Sequence, residues 1–209
     1  MHDDYVLLVA GVPGTGKSTL SRLLSSELGC TVYETSELAI SLGAAGSDPT
    51  GRYTSVLSPE GVEIVARALV NASKRGCVIA STVYPESLLD FMQSSTLAVV
   101  LLRLDPRILE RRLEGRGWPR PKVLENVVAE ALNYYHEALW DHRHYVFEVD
   151  TTGRSPLETL HIILDLLCKW KPGFRVDWLK DESLVELVSS WLGELDLHNN
   201  GLPERGSVE

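Results

Sequence analysis

Short, unbroken apolar runs alternate along this chain with stretches whose apolar residues recur every three or four positions. Residues 5–10 (YVLLVA) form the first run, and a run of that kind reads as a strand buried on both faces. Residues 18–28 follow with Leu20, Leu23, Leu24 and Leu28 at helical spacing. The same reading predicts further strands at 31–33, 77–82, 97–104 and 145–149. It predicts helices at 36–42, 59–74, 106–114, 122–139 and 156–169, with Pro59 and Pro156 in first turns where proline is tolerated. Strands alternating with helices predict an α/β fold: a five-stranded parallel sheet with helices on both faces.

Three segments depart from the alternation. Residues 43–58 are polar, rich in Gly, Ser and Thr, and read as a long loop. Residues 115–121 (GRGWPRP) break the helical pattern with Gly and Pro. Beyond Trp170 the character changes. PGFRVDWL reads as a surface-hugging segment, and residues 181–192 as a helix with Leu184, Leu187, Val188 and Trp191 on one side. That helix is expected to dock on the main domain, with a partner-binding helix as the alternative, and residues 193–209 to fray. The expected division is a core over 1–170 and a C-terminal segment over 171–209.

The formal net charge of -9 over 209 residues argues against general nucleic-acid coating, which needs a broad basic excess. The apolar runs are too short to span a bilayer, and the acidic start MHDDY is the opposite of a signal peptide's basic one. Cys30, Cys77 and Cys168 are far apart and follow no CxxC spacing, which suggests buried thiols in a reducing compartment. The expected location is therefore cytoplasmic.

The chemistry begins at the first strand's end. Gly11-Val12-Pro13-Gly14-Thr15-Gly16-Lys17-Ser18 fits G-x-x-x-x-G-K-[ST], between a buried strand and a helix. Glycines let successive backbone N–H groups converge on a phosphate, and the helix N-terminus adds positive potential. Lys17 is expected to reach the β- and γ-phosphates of ATP, and the Ser18 hydroxyl to ligate magnesium. A merely tight strand–helix turn would not explain Lys-Ser after three glycines.

Residues 103–122 concentrate Arg103, Arg107, Arg111, Arg112, Arg116 and Arg120 against only Asp105, Glu110 and Glu114. Arg112 and Arg116 can share a helix face, and the Gly and Pro that follow suit a hinged flap. Mobile arginines there would neutralise charge on a transferring phosphoryl group. A solvated basic helix face is the plainer alternative.

GVPGTGKSTL, LRLDPRILERRLEGRGW, KVLENVVAEALNYYHEAL, VFEVDTTGRSP and RVDWL, in that order, resemble the archaeal-type adenylate kinases over residues 5–180. That family also includes a nuclear isoenzyme linked to small-ribosomal-subunit maturation. The resemblance implies a P-loop NTPase three-layer fold with a short lid over about 115–125. It implies phosphoryl transfer from ATP to AMP, or another nucleoside monophosphate, with magnesium. On the matching positions, Gly14, Thr15, Gly16, Lys17, Ser18 and Thr19 would bind ATP phosphates. Lys17, Arg112 and Arg116 would be catalytic, and Arg116 the lid arginine that contacts nucleotide. Thr152, Gly153 and Arg154 would sit near adenine, and about 32–55, with Arg52, would hold the monophosphate. A monomer is expected. The alternatives are an ATPase that assists small-subunit assembly by binding a ribosomal protein, and a P-loop kinase of another small acceptor.

One departure stands out. The family usually carries Asp at the end of the third strand, with His two residues later. Matching VI to VI puts Ala80 and Thr82 there. An AMP phosphate oxygen is already ionised, so an acceptor of that kind needs no general base. Glu34, Glu37 and Asp105 lie near predicted strand ends and are candidates to supply the acid.

Overall fold

The computed structural model describes residues 5–46, 56–92 and 96–200. Among the described residues seven strands and nine helices follow in order: β1 (Val6–Ala10), α1 (Lys17–Leu28), β2 (Thr31–Glu34), α2 (Thr35–Ser41), β3 (Ala45–Gly46), β4 (Val56–Leu57), α3 (Pro59–Ser73), β5 (Val78–Thr82), α4 (Pro85–Met92), β6 (Thr96–Arg103), α5 (Pro106–Glu114), α6 (Arg120–Ala131), α7 (Tyr134–Ala138), β7 (Val146–Asp150), α8 (Pro156–Cys168) and α9 (Glu182–Asn200). Short 3-10 turns precede β7 and α9.

Five strands make one sheet in the order β2-β5-β1-β6-β7, with every neighbouring pair parallel. Alternation along β1 explains the layers. Val6, Leu8 and Ala10 face a core built with α3, α4, α5, α6 and α9. Leu7 and Val9 face a second core with α1 and α8. The five strands expected from apolar runs are these five. β3 and β4 pair antiparallel within the expected loop.

Four expectations need correction. The pattern gives no helix between the strands at 77–82 and 97–104, yet Pro85, Leu88, Leu89 and Met92 are buried at helical spacing and form α4. The helix expected over 122–139 breaks at Asn133, whose φ of 57° is left-handed. Asn tolerates that region, and the break lets its side chain accept from Arg103 (2.8 Å) and donate to Asp177 (3.1 Å). The expected fraying after Leu192 is absent as far as Asn200, because α9 continues through Gly193. Residues 201–209 of the expected tail lie outside the described ones. Finally, Cys30 and Cys77 are not free thiols. They precede β2 and β5, adjacent strands, and form a disulfide, while Cys168 is exposed. The case for a reducing compartment built on buried thiols falls with them.

The C-terminal segment is fixed in two places. Arg103, at the end of β6, is fully buried and bonds Glu130 of α6 (2.7 Å) and Glu148 of β7 (2.6 Å). Backbone N–H groups of Arg175 and Val176 also donate to Glu148, and Trp178 Nε1 donates to Glu130 (2.9 Å). RVDWL is thus the strap that completes a buried ionic network. Burial would raise the Glu148 carboxyl, but His136, these N–H groups and Arg103 hold it below the usual carboxylate range. Further on, Leu184, Val188 and Trp191 bury the inner face of α9. Each such side chain contributes about 1.5–3 kcal/mol on burial.

Candidate active site

The phosphate loop joins β1 to α1 at the C-terminal edge of the sheet. Its tightness is steric. A Cβ on Gly11 (φ 141°) would meet the Leu102 carbonyl oxygen at 2.5 Å, and one on Gly14 (φ 99°) would meet Leu109 at 2.8 Å. Gly14 therefore lets α5 lie directly on the loop. The buried Thr15 turns its hydroxyl inward to the Val12 carbonyl (3.0 Å) and braces the turn.

Beside the loop opens a cavity of about 300 Å³ lined by Pro13, Gly14, Gly16, Lys17, Ser18, Thr19, Glu34, Thr35, Ser36, Ser81, Thr82, Val83 and Arg116. Lys17 Nζ donates to the Gly11 and Val12 carbonyls (2.9 and 3.1 Å), folded back on the loop where a phosphate would draw it out. Burial lowers its pKa to about 8; the Glu34 carboxylate opposes that shift and the Arg116 guanidinium adds to it. Arg116 follows α5 and closes the far wall. Arg112 donates to the Gly14 carbonyl (3.2 Å), so it touches the loop from behind.

The structure thus gathers Gly14, Gly16, Lys17, Ser18, Thr19 and Arg116 around one cavity, with Thr15 and Arg112 in contact with the same loop. Gly153 and Arg154 lie in the turn after β7. There the Thr152 hydroxyl accepts from the Asp105 N–H (2.9 Å), and Arg154 donates to the Asp150 carbonyl (2.6 Å). Arg154 lines a separate cleft with Asp150, Arg175 and Trp178 rather than the phosphate cavity. Of the expected monophosphate region, residues 47–55, with Arg52, lie outside the described ones.

The missing acid also changes position. Ala80 is fully buried in the core beneath the sheet. The next residue, Ser81, reaches the cavity, so the strand-end position that faces the cavity is Ser81. Its hydroxyl is buried and has no hydrogen-bond partner. In register beside it on β2 stands Glu34. Of the three candidate acids, Glu34 alone lines this cavity. Glu37 is exposed, and Asp105 caps α5 and binds Arg107 (2.8 Å).

The Ser18 and Ser81 hydroxyls and the Glu34 carboxylate are hard oxygen donors of the kind magnesium accepts. Among the described residues no group of three or more His, Cys, Asp or Glu could hold a metal unaided. The donor set therefore fits an ion carried in on nucleotide phosphates, for which it would supply positive charge at the transferring group.

A second cavity, of about 290 Å³, lies on the other side of Pro13 and Val83. It is lined by Val12, Tyr84, Lys122, Glu125, Asn126, Ala129, Tyr134 and Tyr135 as well. Sequence reading missed it. The nearest signal was the paired Tyr134-Tyr135, read as part of a continuous helix.

Comparison with known proteins bears on this arrangement. An AAA domain family model matches residues 7–133. A protein of Methanothermobacter thermautotrophicus named "Putative adenylate kinase" is 38% identical over 164 residues, 78% of this chain and 89% of its own length. The chain belongs to the archaeal-type adenylate kinase family. Relatives with the same name from Thermococcus onnurineus and Sulfurisphaera tokodaii are 34% and 30% identical, over 86% and 88% of this chain and 94% and 92% of their own lengths. Family membership makes the chain a kinase-like phosphotransferase. The P-loop kinase fold is shared with the shikimate kinase of Acinetobacter baumannii (TM-score 0.56, 17% identity, 80% of this chain, 94% of that one). A gluconokinase from Sinorhizobium meliloti shares it too (TM-score 0.51, 18% identity, 81% and 94%). Among the described residues no helix is long and apolar enough to cross a membrane.

Proposed function

We propose that this protein transfers the γ-phosphoryl group of ATP to AMP, or to another nucleoside monophosphate, with magnesium. The observation that carries the reading is the pair of cavities that meet at Pro13 and Val83, one against the phosphate loop and one beside it. A donor phosphate in the first and an acceptor phosphate near Val83 would face each other across the loop. Lys17 binds the donor's phosphates, and the N–H groups at the start of α1 orient them. Arg116 supplies positive charge where it builds up in transfer. Arg112, held on the Gly14 carbonyl, fixes α5 against the loop. The second cavity is lined by Tyr84, Tyr134, Asn126 and Lys122, residue types that would suit a base and its phosphate. Gly153 and Arg154 are proposed to border the adenine of ATP, at the same sheet edge as the loop.

A coupled assay with ATP and a panel of acceptors, AMP, CMP, UMP and shikimate among them, tests this. ADP should form only when a nucleoside monophosphate is present. ATP hydrolysis indifferent to AMP, with tight binding of a small-subunit ribosomal protein, would refute it and favour the assembly-factor alternative. Turnover of shikimate alone would place the acceptor among hydroxyl compounds.

A further inference from the structure

The strand-end carboxylate absent from β5 has a replacement in register on the neighbouring strand. We infer that Glu34 of β2, working across Ser81, is the carboxylate that serves the divalent cation accompanying the nucleotide. This rests on the phosphotransfer reading above.

The first ground is registration. β2 and β5 are parallel, and Glu34 pairs with Ser81, so the two side chains leave the sheet toward the same side. Neighbouring strands lie about 4.8 Å apart. A glutamate is one methylene longer than the aspartate expected on β5, and that extra length shortens the sideways gap to a site in front of Ser81. The small serine leaves the space open.

The second ground is the state of both side chains. Ser81 is 2% exposed, lines the cavity, and has an Oγ without a partner. A buried hydroxyl left unpaired costs about 1–3 kcal/mol, so a group normally fills the place before it. Glu34 is the N-cap residue of α2, yet its carboxylate makes no hydrogen bond to the helix N–H groups it could cap. It lines the phosphate cavity instead, close enough to act electrostatically on Lys17. A carboxylate in a pocket built for phosphate would repel the nucleotide unless a cation stood between them. An unpaired hydroxyl and an uncapping acid, side by side and facing the same volume, together define an oxygen-lined place for that cation.

Binding measured without turnover tests the assignment. Mn²⁺ is titrated into protein saturated with a non-hydrolysable ATP analogue, with free Mn²⁺ read by electron paramagnetic resonance. The wild type should bind the ion in the ternary complex. Glu34→Gln should weaken that binding by about 10–100-fold, the effect typical of losing a group that supports a metal site. Affinity for the analogue without metal should stay the same or tighten. Adding Ser81→Asp to Glu34→Gln, which returns the acid to β5, should restore most of the Mn²⁺ affinity. Unchanged Mn²⁺ affinity in Glu34→Gln overturns the inference. So does an equal loss of metal-free analogue binding, which would mean that Glu34 shapes the loop rather than serving the ion. A wild type that binds the analogue no better with Mn²⁺ than without would overturn the magnesium-dependent phosphotransfer reading and this inference with it.

Discussion

Arg112 of α5 and Arg116 just after it meet the phosphate loop and its cavity, while Arg107 of α5 and Arg120 at the start of α6 meet α9 and the residue before it. The same residue type, within one short basic stretch, has two different jobs. Arg112 reaches the Gly14 carbonyl and Arg116 lines the cavity. Arg107 is held by Asp105 and Asp181 (2.8 and 2.9 Å), and Arg120 by Glu110, Glu114 and Glu194 (2.7, 2.7 and 2.9 Å). Acids decide the division. Where carboxylates of α5 and of the C-terminal segment converge, the arginines are consumed as fasteners. Where they do not, Arg112 braces the loop and Arg116 is left facing the cavity. Trp191 donating to Glu110 (3.0 Å) ties the fastening side further to α9. A cluster that reads as one basic patch divides into a side turned to the phosphate loop and a side that works as a clamp.

The sharpest break of this comparison is Arg116→Ala. Loss of a single positive group aimed at developing charge costs about 10²–10³ in kcat. The thermal melt should not move, because no described acid pairs with Arg116. Steady-state ADP formation beside differential scanning calorimetry reads both. Arg103→Ala should do the reverse, destabilising the fold by about 3–5 kcal/mol because Glu130 and Glu148 stay buried without the guanidinium that joins them. Urea melts measure that loss, and activity per folded molecule should stay near wild type.

The loop side should also answer to pH in a way the clamp side does not. Burial lowers the Lys17 pKa to about 8, and the charged ammonium is the form that binds phosphate. Nucleotide affinity is therefore full well below pH 8 and falls as pH rises through it. Between pH 7 and pH 9 the dissociation constant for ATP should rise about tenfold, with proton uptake on binding at the upper end; calorimetry in two buffers of different ionisation enthalpy reads both. The smallest effect belongs to Arg120→Ala. Its partners are solvent-exposed in part, so each pair contributes less than about 1 kcal/mol. The variant should melt slightly earlier and keep its kcat. A loss of turnover matching that of Arg116→Ala would erase the distinction between the two sides.

Some of this was legible in the chain. The phosphate loop is contiguous, so Gly11 through Ser18 declare their geometry in their order. The apolar runs gave the five core strands because strands buried on both faces need no alternation. What stayed hidden depends on pairing across strands or on a single backbone angle. Glu34 and Ser81 are far apart in sequence, and only the β2–β5 register sets them side by side. Matching the motif by its apolar residues alone placed the lost acid at Ala80, one position out, and in a strand one position exchanges cavity for core. The break at Asn133 had no Gly or Pro to announce it. α4 did carry a signal, since Pro85, Leu88, Leu89 and Met92 hold helical spacing, but the run is too short to stand out from a loop. The fate of Arg107 and Arg120 could not be read before the position of α9 was known.

The central claim is that phosphoryl transfer is centred on the loop that begins at Gly11, and Lys17→Ala tests it most directly. ADP formation from ATP and AMP should fall to background, with circular dichroism and thermal melting close to wild type. Turnover that survives this substitution in the folded protein would contradict the account.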